Sequence, residues 1–275
     1  GRAWLTYLAR CQYLLQEGSF VADLCYLVSE QSPQHPLPRE ELTPLPPLGH
    51  DYDFCSPVMF KKMSVKNGEV VLPSGMRYRL LVLPTGPMRP AMLSKVRDLV
   101  KAGATVYGEA PQGSPSLRDY PACDQKVKAL VDELWGADRA GAGERQLGKG
   151  KVIWGRAMVD VMADFDLLPD FACAGGVSGL PTRYPGNGTE YIHRRIDDAD
   201  VYFVSNQNHC TNTIEATFRV SGRCPHLWHP DTGTIEQTSL YSSTEDGRTT
   251  VPLTLDPDGS VFVVFREPAD QATQI

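Results

Sequence analysis

The segment from residue 79 to residue 107 constrains the fold most, because a strand, a helix and a second strand follow one another directly. Residues 79–84 form an apolar run typical of a buried strand. Residues 90–102 then place apolar side chains at helical spacing and end before Gly103, and residues 104–107 give another buried strand. Such a unit joins parallel strands through a right-handed crossover. The sequence therefore predicts a parallel sheet covered by helices.

The same patterns recur on both sides of this unit. They predict buried strands over 20–28 and 150–155, and helices over 124–134 and 156–165. Residues 65–78 predict a small hairpin, since Asn67-Gly68 is a dipeptide that favours a tight turn with positive φ.

The pattern changes after Gly175, where short strands alternate with turn signals such as 230–233 and 256–259. The predicted strands cover 191–195, 199–205, 214–220, 226–229, 234–240, 248–255 and 259–266. Short strands at this regular spacing are typical of a β-sandwich.

The predicted fold class is therefore α/β followed by all-β. A flavodoxin- or amidotransferase-like parallel-sheet domain is expected over 19–175, and a jelly-roll-like β-sandwich over 176–275. Residues 1–18 are expected to be a helix left over from a preceding domain, because the chain starts at Gly1 without methionine and is helical in pattern by Trp4. On this interpretation the chain is a fragment of a longer protein.

Charge and hydropathy exclude several classes of partner. The chain has 27 Lys and Arg against 33 Asp and Glu, a net charge of −6, and no basic block. This balance argues against nucleic acid or an anionic membrane surface as the main partner. The longest apolar runs, such as 80–83 and 261–265, are far shorter than the roughly 20 residues of a membrane-spanning helix.

The sequence predicts no cofactor and no metal. Its seven cysteines include no C-x-x-C pair, and Cys210, Cys224, His226 and His229 lack the usual spacing of zinc ligands.

Two motif-like segments carry no nucleophile or phosphate site. A nucleophile elbow after a buried strand needs Ser or Cys, but 108–110 reads Gly-Glu-Ala. Residues 143–149 spell most of a P-loop, yet Gly150 follows where Ser or Thr is required, and a strand follows where the phosphate-binding helix should begin.

Two carboxylates are candidates for a ligand site. Glu30 and Glu109 each follow the carboxyl end of a predicted parallel strand, the edge at which open α/β sheets bind ligands. Hydrolysis of a glycoside needs two carboxylates that face one bond. The alternative is that both are solvated loop residues.

His193 is the third candidate, because it lies beside Arg194 and Arg195 and could hold a carboxylate or a sugar hydroxyl. The alternative is an interdomain salt bridge of this cluster with nearby acids, namely Asp197, Asp198 and Asp200.

Several phrases of the sequence resemble one family. They lie in residues 7–18, 21–23, 50–54, 72–78, 81–84, 192–194, 201–206 and 227–233. Together they resemble the region just after the catalytic barrel in family 106 glycoside hydrolases, the α-L-rhamnosidase group. The α/β part is also similar to the amidotransferase-like domain that follows the barrel in family 42 β-galactosidases, and the β part to a sugar-binding type of sandwich.

The resemblance implies a parent enzyme that removes rhamnose by general acid and base carboxylates carried on a barrel upstream of Gly1. The resemblance assigns no catalytic residue to this chain. The partners that it implies are the upstream catalytic domain and carbohydrate. Localisation is left open, with a periplasmic or secreted bacterial parent as the expectation. Two alternatives remain: a carbohydrate-binding or scaffold module with no catalytic role, for which Trp228, Tyr241 and Tyr202 are the candidate aromatic residues, and an independent hydrolase that uses Glu30 and Glu109.

Overall fold

The computed structural model describes residues 1–31, 35–176 and 187–269. Its helices are α1 (Arg2–Gln16), α2 (Pro57–Phe60), α3 (Pro90–Ala102), α4 (Ala122–Trp135) and α5 (Met158–Ala163), with a 3₁₀ turn at Arg39–Glu41. The first strands are β1 (Ser19–Phe20), β2 (Leu24–Leu27), β3 (Tyr52–Cys55), β4 (Ser64–Lys66), β5 (Glu69–Val71), β6 (Arg77–Tyr78), β7 (Leu80–Val82), β8 (Thr105–Tyr107), β9 (Gly143–Leu147) and β10 (Gly150–Trp154). The later strands are β11 (Phe171–Gly175), β12 (Thr189–Ile196), β13 (Ala199–Asn206), β14 (Asn212–Phe218), β15 (Arg223–Trp228), β16 (Ile235–Gln237), β17 (Ser242–Ser243), β18 (Thr249–Leu255) and β19 (Ser260–Pro268).

The chain forms two compact units. One is Ala22–Leu167, and the other combines Gly1–Val21 with the described residues from Leu168 onward. The division into domains 1–18, 19–175 and 176–275 remains a prediction, because the two compact units are defined by contacts between residues and not by independent folding.

The unit Ala22–Leu167 is built on a six-stranded sheet in the order β3-β2-β7-β8-β10-β9. The first five of these strands are parallel to one another, and β9 is antiparallel to β10 at the edge. The predicted strand–helix–strand unit is confirmed as β7, α3 and β8, with β7 and β8 parallel. Numbered along the chain, the parallel strands lie in the order 2-1-3-4-5. This order reverses direction between β2 and β7.

Both faces of this sheet are covered. Helix α5 packs its Met158, Val161 and Met162 into one core cluster with Tyr26 and Val82. The alternate strand residues point to the opposite face, where α3 contacts β8, β10 and α4. Near-continuous apolar strands are what such a doubly covered parallel sheet requires.

The hairpin predicted over 65–78 is confirmed as β4 and β5, to which β6 adds a third strand. Asn67 and Gly68 form its turn with φ of 54° and 83°. Two successive positive φ values are the geometry for which Asn-Gly is favoured.

The single strand predicted over 20–28 is wrong. The structure divides this run into β1, which pairs with β12, and β2, which pairs with β3 and β7. The interruption lies at Asp23, whose buried carboxylate binds the His50 ring Nδ1 at 2.7 Å. A buried charge at this position needs a polar partner, and that partner lies 27 residues further along the chain.

The other unit contains two antiparallel sheets. Their strand orders are β1-β12-β13-β19-β15-β16 and β11-β14-β18-β17. Apolar side chains of both sheets, including Val204 and Phe265 from one and Phe218 and Val251 from the other, form one buried cluster. The strands predicted after residue 190 are found with shifted ends, whereas β11 and β17 were not predicted.

Helix α1 belongs to this second unit. Its Cys11 joins a buried cluster with Val201, Phe262 and Val264, on the face of the six-stranded sheet that lies away from the core shared by the two sheets. The helix ends before Gly18, whose φ of 61° suits glycine and where an added Cβ would overlap the carbonyl of Arg195. The helix therefore contributes to the core of this unit.

Candidate functional site

The carboxyl edge of the parallel sheet holds Glu30, which follows β2, and Arg89, which precedes α3. Their meeting point is where the strand order reverses, between β2 and β7. The Arg89 backbone N–H donates to Glu30 Oε2 at 3.0 Å, and the Arg89 Nε donates to Oε1 at 2.5 Å. The Glu30 side chain is only 4% exposed. Both of its oxygens are thus engaged, and the carboxylate fixes the start of α3, which no side chain caps.

Glu109, the second predicted carboxylate, is exposed in the loop after β8. It stands close enough to the Tyr107 hydroxyl to raise the pKa of that group, although burial of the hydroxyl contributes more to the shift. Both carboxylates therefore lie at the predicted edge, but Glu30 is buried and hydrogen-bonded to Arg89 whereas Glu109 is exposed to solvent.

His193, the third candidate, lies in β12 and is buried between two carboxylates. Its Nδ1 is 2.9 Å from Asp170 Oδ2, and its Nε2 is 3.1 Å from Asp200 Oδ1. The imidazole side chain is 2% exposed. Because each ring nitrogen faces an acceptor, the arrangement satisfies both N–H groups of the charged imidazolium.

Three more side chains complete this His193 cluster. The Tyr202 hydroxyl donates to Asp170 Oδ1 at 2.9 Å, and the Tyr202 ring stacks on the imidazole at 3.9 Å between centroids. Arg219 pairs with Asp170 at 3.3 Å, and Arg195 with Asp200 at 2.7 Å. Asp170 immediately precedes β11 of one sheet, while His193 and Asp200 lie on β12 and β13 of the other. The cluster is therefore an ionic link between the two sheets.

The electrostatics of the cluster follow from burial and pairing. Burial alone would lower the pKa of His193, but Asp170 and Asp200 outweigh it, so the pKa of the imidazole is raised. Burial would raise the pKa of Asp200, but hydrogen bonds from His193 and Arg195 outweigh it and lower that pKa. The charged forms of both groups are thus stabilised, as a structural ion pair requires and a general base with a free lone pair does not.

The predicted partners of the His193 cluster are partly those observed. Asp200 pairs with His193 and Arg195 within one compact unit, whereas Asp197 lies in a turn with a φ of 53°. Asp170 was not predicted as a partner of His193, because its position after Leu168-Pro169 is typical of a turn residue. Arg194 instead donates to the backbone carbonyls of Glu17, at 2.6 Å, and Gly18, at 2.9 Å.

A cavity of about 240 Å³ lies between α1 and the β15–β16 hairpin. Its apolar wall contains Tyr13, Trp228 and Ile235, and its polar groups include His229 and Thr234. Of the three predicted aromatic candidates, Trp228 alone lines this cavity, since Tyr202 and Tyr241 are buried in the core.

Other site types find no support in the described part of the chain. There, no group of three or more His, Cys, Asp or Glu side chains is placed to hold a metal ion. No helix among those residues has the length and apolar character needed to cross a bilayer.

Comparison with known proteins places these features in a family context. The model of glycoside hydrolase family 106, described as alpha-L-rhamnosidase, matches residues 1–242. A protein of Formosa agariphila named "Putative beta-glucuronidase" is 36% identical over all of this chain and 22% of its own length. The rhamnosidase from Novosphingobium sp. PP1Y is 33% identical, with a TM-score of 0.83 over all of this chain and 25% of that one.

A more distant likeness concerns the fold alone. The family 42 β-galactosidase Gan42B from G. stearothermophilus, in its E323A catalytic mutant, is 12% identical with a TM-score of 0.52, over 94% of this chain and 42% of that one. The chain thus spans about a quarter of the rhamnosidase and of the Formosa protein. By the family model and by these relatives, the chain belongs to glycoside hydrolase family 106, the α-L-rhamnosidase family.

Proposed function

We propose that this chain is an accessory region of a glycoside hydrolase that acts on rhamnose-containing glycans or glycosides, and that it is inactive without an upstream catalytic barrel. The observation that carries the proposal is the state of the candidate carboxylates. Glu30 is buried and paired with Arg89, whereas Glu109 is exposed in the loop after β8. A pair of carboxylates free to face one glycosidic bond is what the chemistry needs.

Further features support an accessory role. The 2-1-3-4-5 order of the parallel strands supports a flavodoxin- or amidotransferase-like domain. In that domain Gly108-Glu109 occupies the place of a nucleophile elbow. The core shared by two antiparallel sheets supports a jelly-roll-like β-sandwich after it.

A direct assay tests the catalytic part of the proposal. The 275-residue chain is incubated with 4-nitrophenyl α-L-rhamnopyranoside beside the longest natural polypeptide that contains it. We expect release of nitrophenol from the longer protein alone. Hydrolysis by the chain itself that is lost in Glu109→Gln would overturn the proposal in favour of an independent hydrolase.

A second candidate function is carbohydrate binding, which the cavity beside α1 favours. Sugar rings pack their C–H faces on aromatic side chains and bind polar groups at the edges, and this cavity offers Tyr13 and Trp228 with His229 and Thr234. Tyr13 is 67% exposed, so part of its ring is free for such contact.

Titration with L-rhamnose, followed by tryptophan fluorescence, tests this second function. We expect Tyr13→Ala to weaken binding by at least about tenfold, the loss of one aromatic contact. Trp4→Ala is the matched control, because Trp4 is an exposed aromatic residue of the same helix that does not line the cavity. Equal binding by the two variants would remove this candidate.

A further inference from the structure

A second cavity, of about 290 Å³, lies at the carboxyl edge of the parallel sheet and has no role in the function proposed above. Three separate segments line it: Lys61 after α2, the start of α3, and the stretch from Ser114 to Lys126 that leads from β8 into α4. The cavity therefore adjoins the Glu30–Arg89 pair, where the strand order of the sheet reverses. Crevices at this position are the usual ligand sites of open parallel sheets.

The lining of this cavity is strongly cationic. It contains Lys61, Arg89, Arg118 and Lys126 against the single carboxylate of Asp119. Arg89 is neutralised by Glu30, but the other three cations form no ion pair with any described residue. Like charges gathered in one cavity repel one another, and the chain as a whole carries a charge of −6. An anion bound among them would remove this repulsion.

Hydrogen-bond donors complete the lining. Ser116, which lines the cavity, accepts at its Oγ from the Arg118 backbone N–H at 3.2 Å, and its own hydroxyl proton has no acceptor among the described residues. At the start of α3, the Met92 and Leu93 N–H groups bind the Arg89 carbonyl. The Ala91 N–H has no such partner among the described residues. A free N–H at the positive end of a 13-residue helix adds to the attraction for an anion.

We propose that this cavity binds an oxyanion, carried by a ligand of about monosaccharide size. Lys61, Arg118 and Lys126 supply the charge, and Ser116 and the Ala91 N–H supply directed hydrogen bonds. A shallower groove between α3 and α4 shares Pro90, Ala91 and Lys126 with the cavity, so the remainder of a longer ligand can extend along it. The shared chemistry is that of sulfate, phosphate and carboxylate groups.

Calorimetric titration of the 275-residue chain at low ionic strength tests the proposal. The probes are inorganic sulfate, inorganic phosphate and D-glucuronate, with D-glucose as the neutral control. We expect at least one anion to bind, and the triple variant Lys61→Ala, Arg118→Ala, Lys126→Ala to weaken it by at least about tenfold. Added NaCl should also weaken it, because salt screens charges on an accessible site.

The matched control removes the same charge elsewhere on the same unit. Lys66→Ala, Arg145→Ala and Lys149→Ala together replace three exposed cations outside the cavity. We expect this control to change the affinity by less than about threefold, since only long-range charge is lost. The single variant Arg118→Glu, an exposed loop position, gives the same test with the smallest risk to folding.

Each outcome decides the proposal. Binding of sulfate or phosphate that is lost in the triple variant supports it and indicates an ester-bearing ligand, whereas the same result with glucuronate indicates a carboxylate. No binding of any anion up to about 10 mM, equal losses in the triple variant and its control, or binding of glucose alone would overturn it. None of these results affects the assay on the rhamnoside, so the two proposals fail separately.

Discussion

The two compact units carry their charged groups in opposite ways. In the unit Ala22–Leu167, Lys61, Arg118 and Lys126 line an open cavity at the sheet edge and form no ion pair with a described residue, whereas in the other unit His193 is enclosed between Asp170 and Asp200. The number of charges is similar in the two places. The two places differ in whether oppositely charged side chains of the same unit pair with these charges.

This difference explains why a buried histidine flanked by carboxylates is not a catalytic centre here. Every polar atom of the imidazole has a partner, and the Tyr202 ring covers one face of it. A group that must exchange protons with a substrate needs an accessible atom. The His193 cluster therefore stabilises the fold, whereas Lys61, Arg118 and Lys126 are exposed and accessible to the anion proposed above.

Removal of Asp170 should give the largest effect. Asp170→Ala leaves Arg219 and the His193 imidazolium without a shared anion in a buried place, so we expect a loss of about 3–5 kcal/mol in the free energy of unfolding of this unit. Hydrogen exchange of the β12 and β13 amides measures it locally. Asp198→Ala, an exposed acid in the turn between these strands, should change it by no more than about 0.5 kcal/mol. Similar values for the two variants would contradict the structural role.

The pH dependence of stability should differ between the two units. Because the pKa of His193 is raised in the folded state, its contribution is fully present below the unfolded pKa of about 6.5 and is lost as pH rises through the folded pKa. In that range we expect the unit that contains His193 to lose up to about 1.4 kcal/mol per pH unit. His193→Gln should remove this slope, and it should leave the exchange of the β7 and β8 amides in the other unit unchanged. Asp200 acts in the opposite direction, since its lowered pKa makes its contribution disappear at acid pH.

Local patterns in the sequence predicted the frame of the fold. Strand β7, helix α3 and strand β8 follow from periodicity and from Gly103, because neighbouring residues decide such elements. Strand β9 was missed, since it is a mostly exposed edge strand of the sequence Gly-Glu-Arg-Gln-Leu without an alternating apolar face. The fold was therefore predictable where burial imposes a period.

The sequence predicted where the candidate carboxylates lie but not which side chains pair with them. The rule for parallel sheets indicated the edge that holds Glu30 and Glu109. It could not show that Arg89, 59 residues away, occupies one of the two carboxylates. The cations of the cavity are likewise distant in sequence, from Lys61 to Lys126, and only the folded chain brings them together. Contacts between distant residues leave no local pattern to find.

The Glu30–Arg89 pair is expected to give a smaller effect than removal of Asp170, because it joins a buried side chain to one that is half exposed. The Glu30 side chain is buried and the Arg89 side chain is half exposed. Arg89→Ala should therefore leave a buried carboxylate with the backbone N–H as its remaining partner, at a cost of about 2 kcal/mol. Glu30→Gln leaves an arginine that water can solvate, and should cost about 1 kcal/mol. Chemical denaturation followed by the exchange of the β2 and α3 amides measures both variants. If Glu30→Gln cost more than Arg89→Ala, the Glu30 carboxylate would have a role beyond its bond to the start of α3. Glu30 would then again be a candidate residue for binding a ligand.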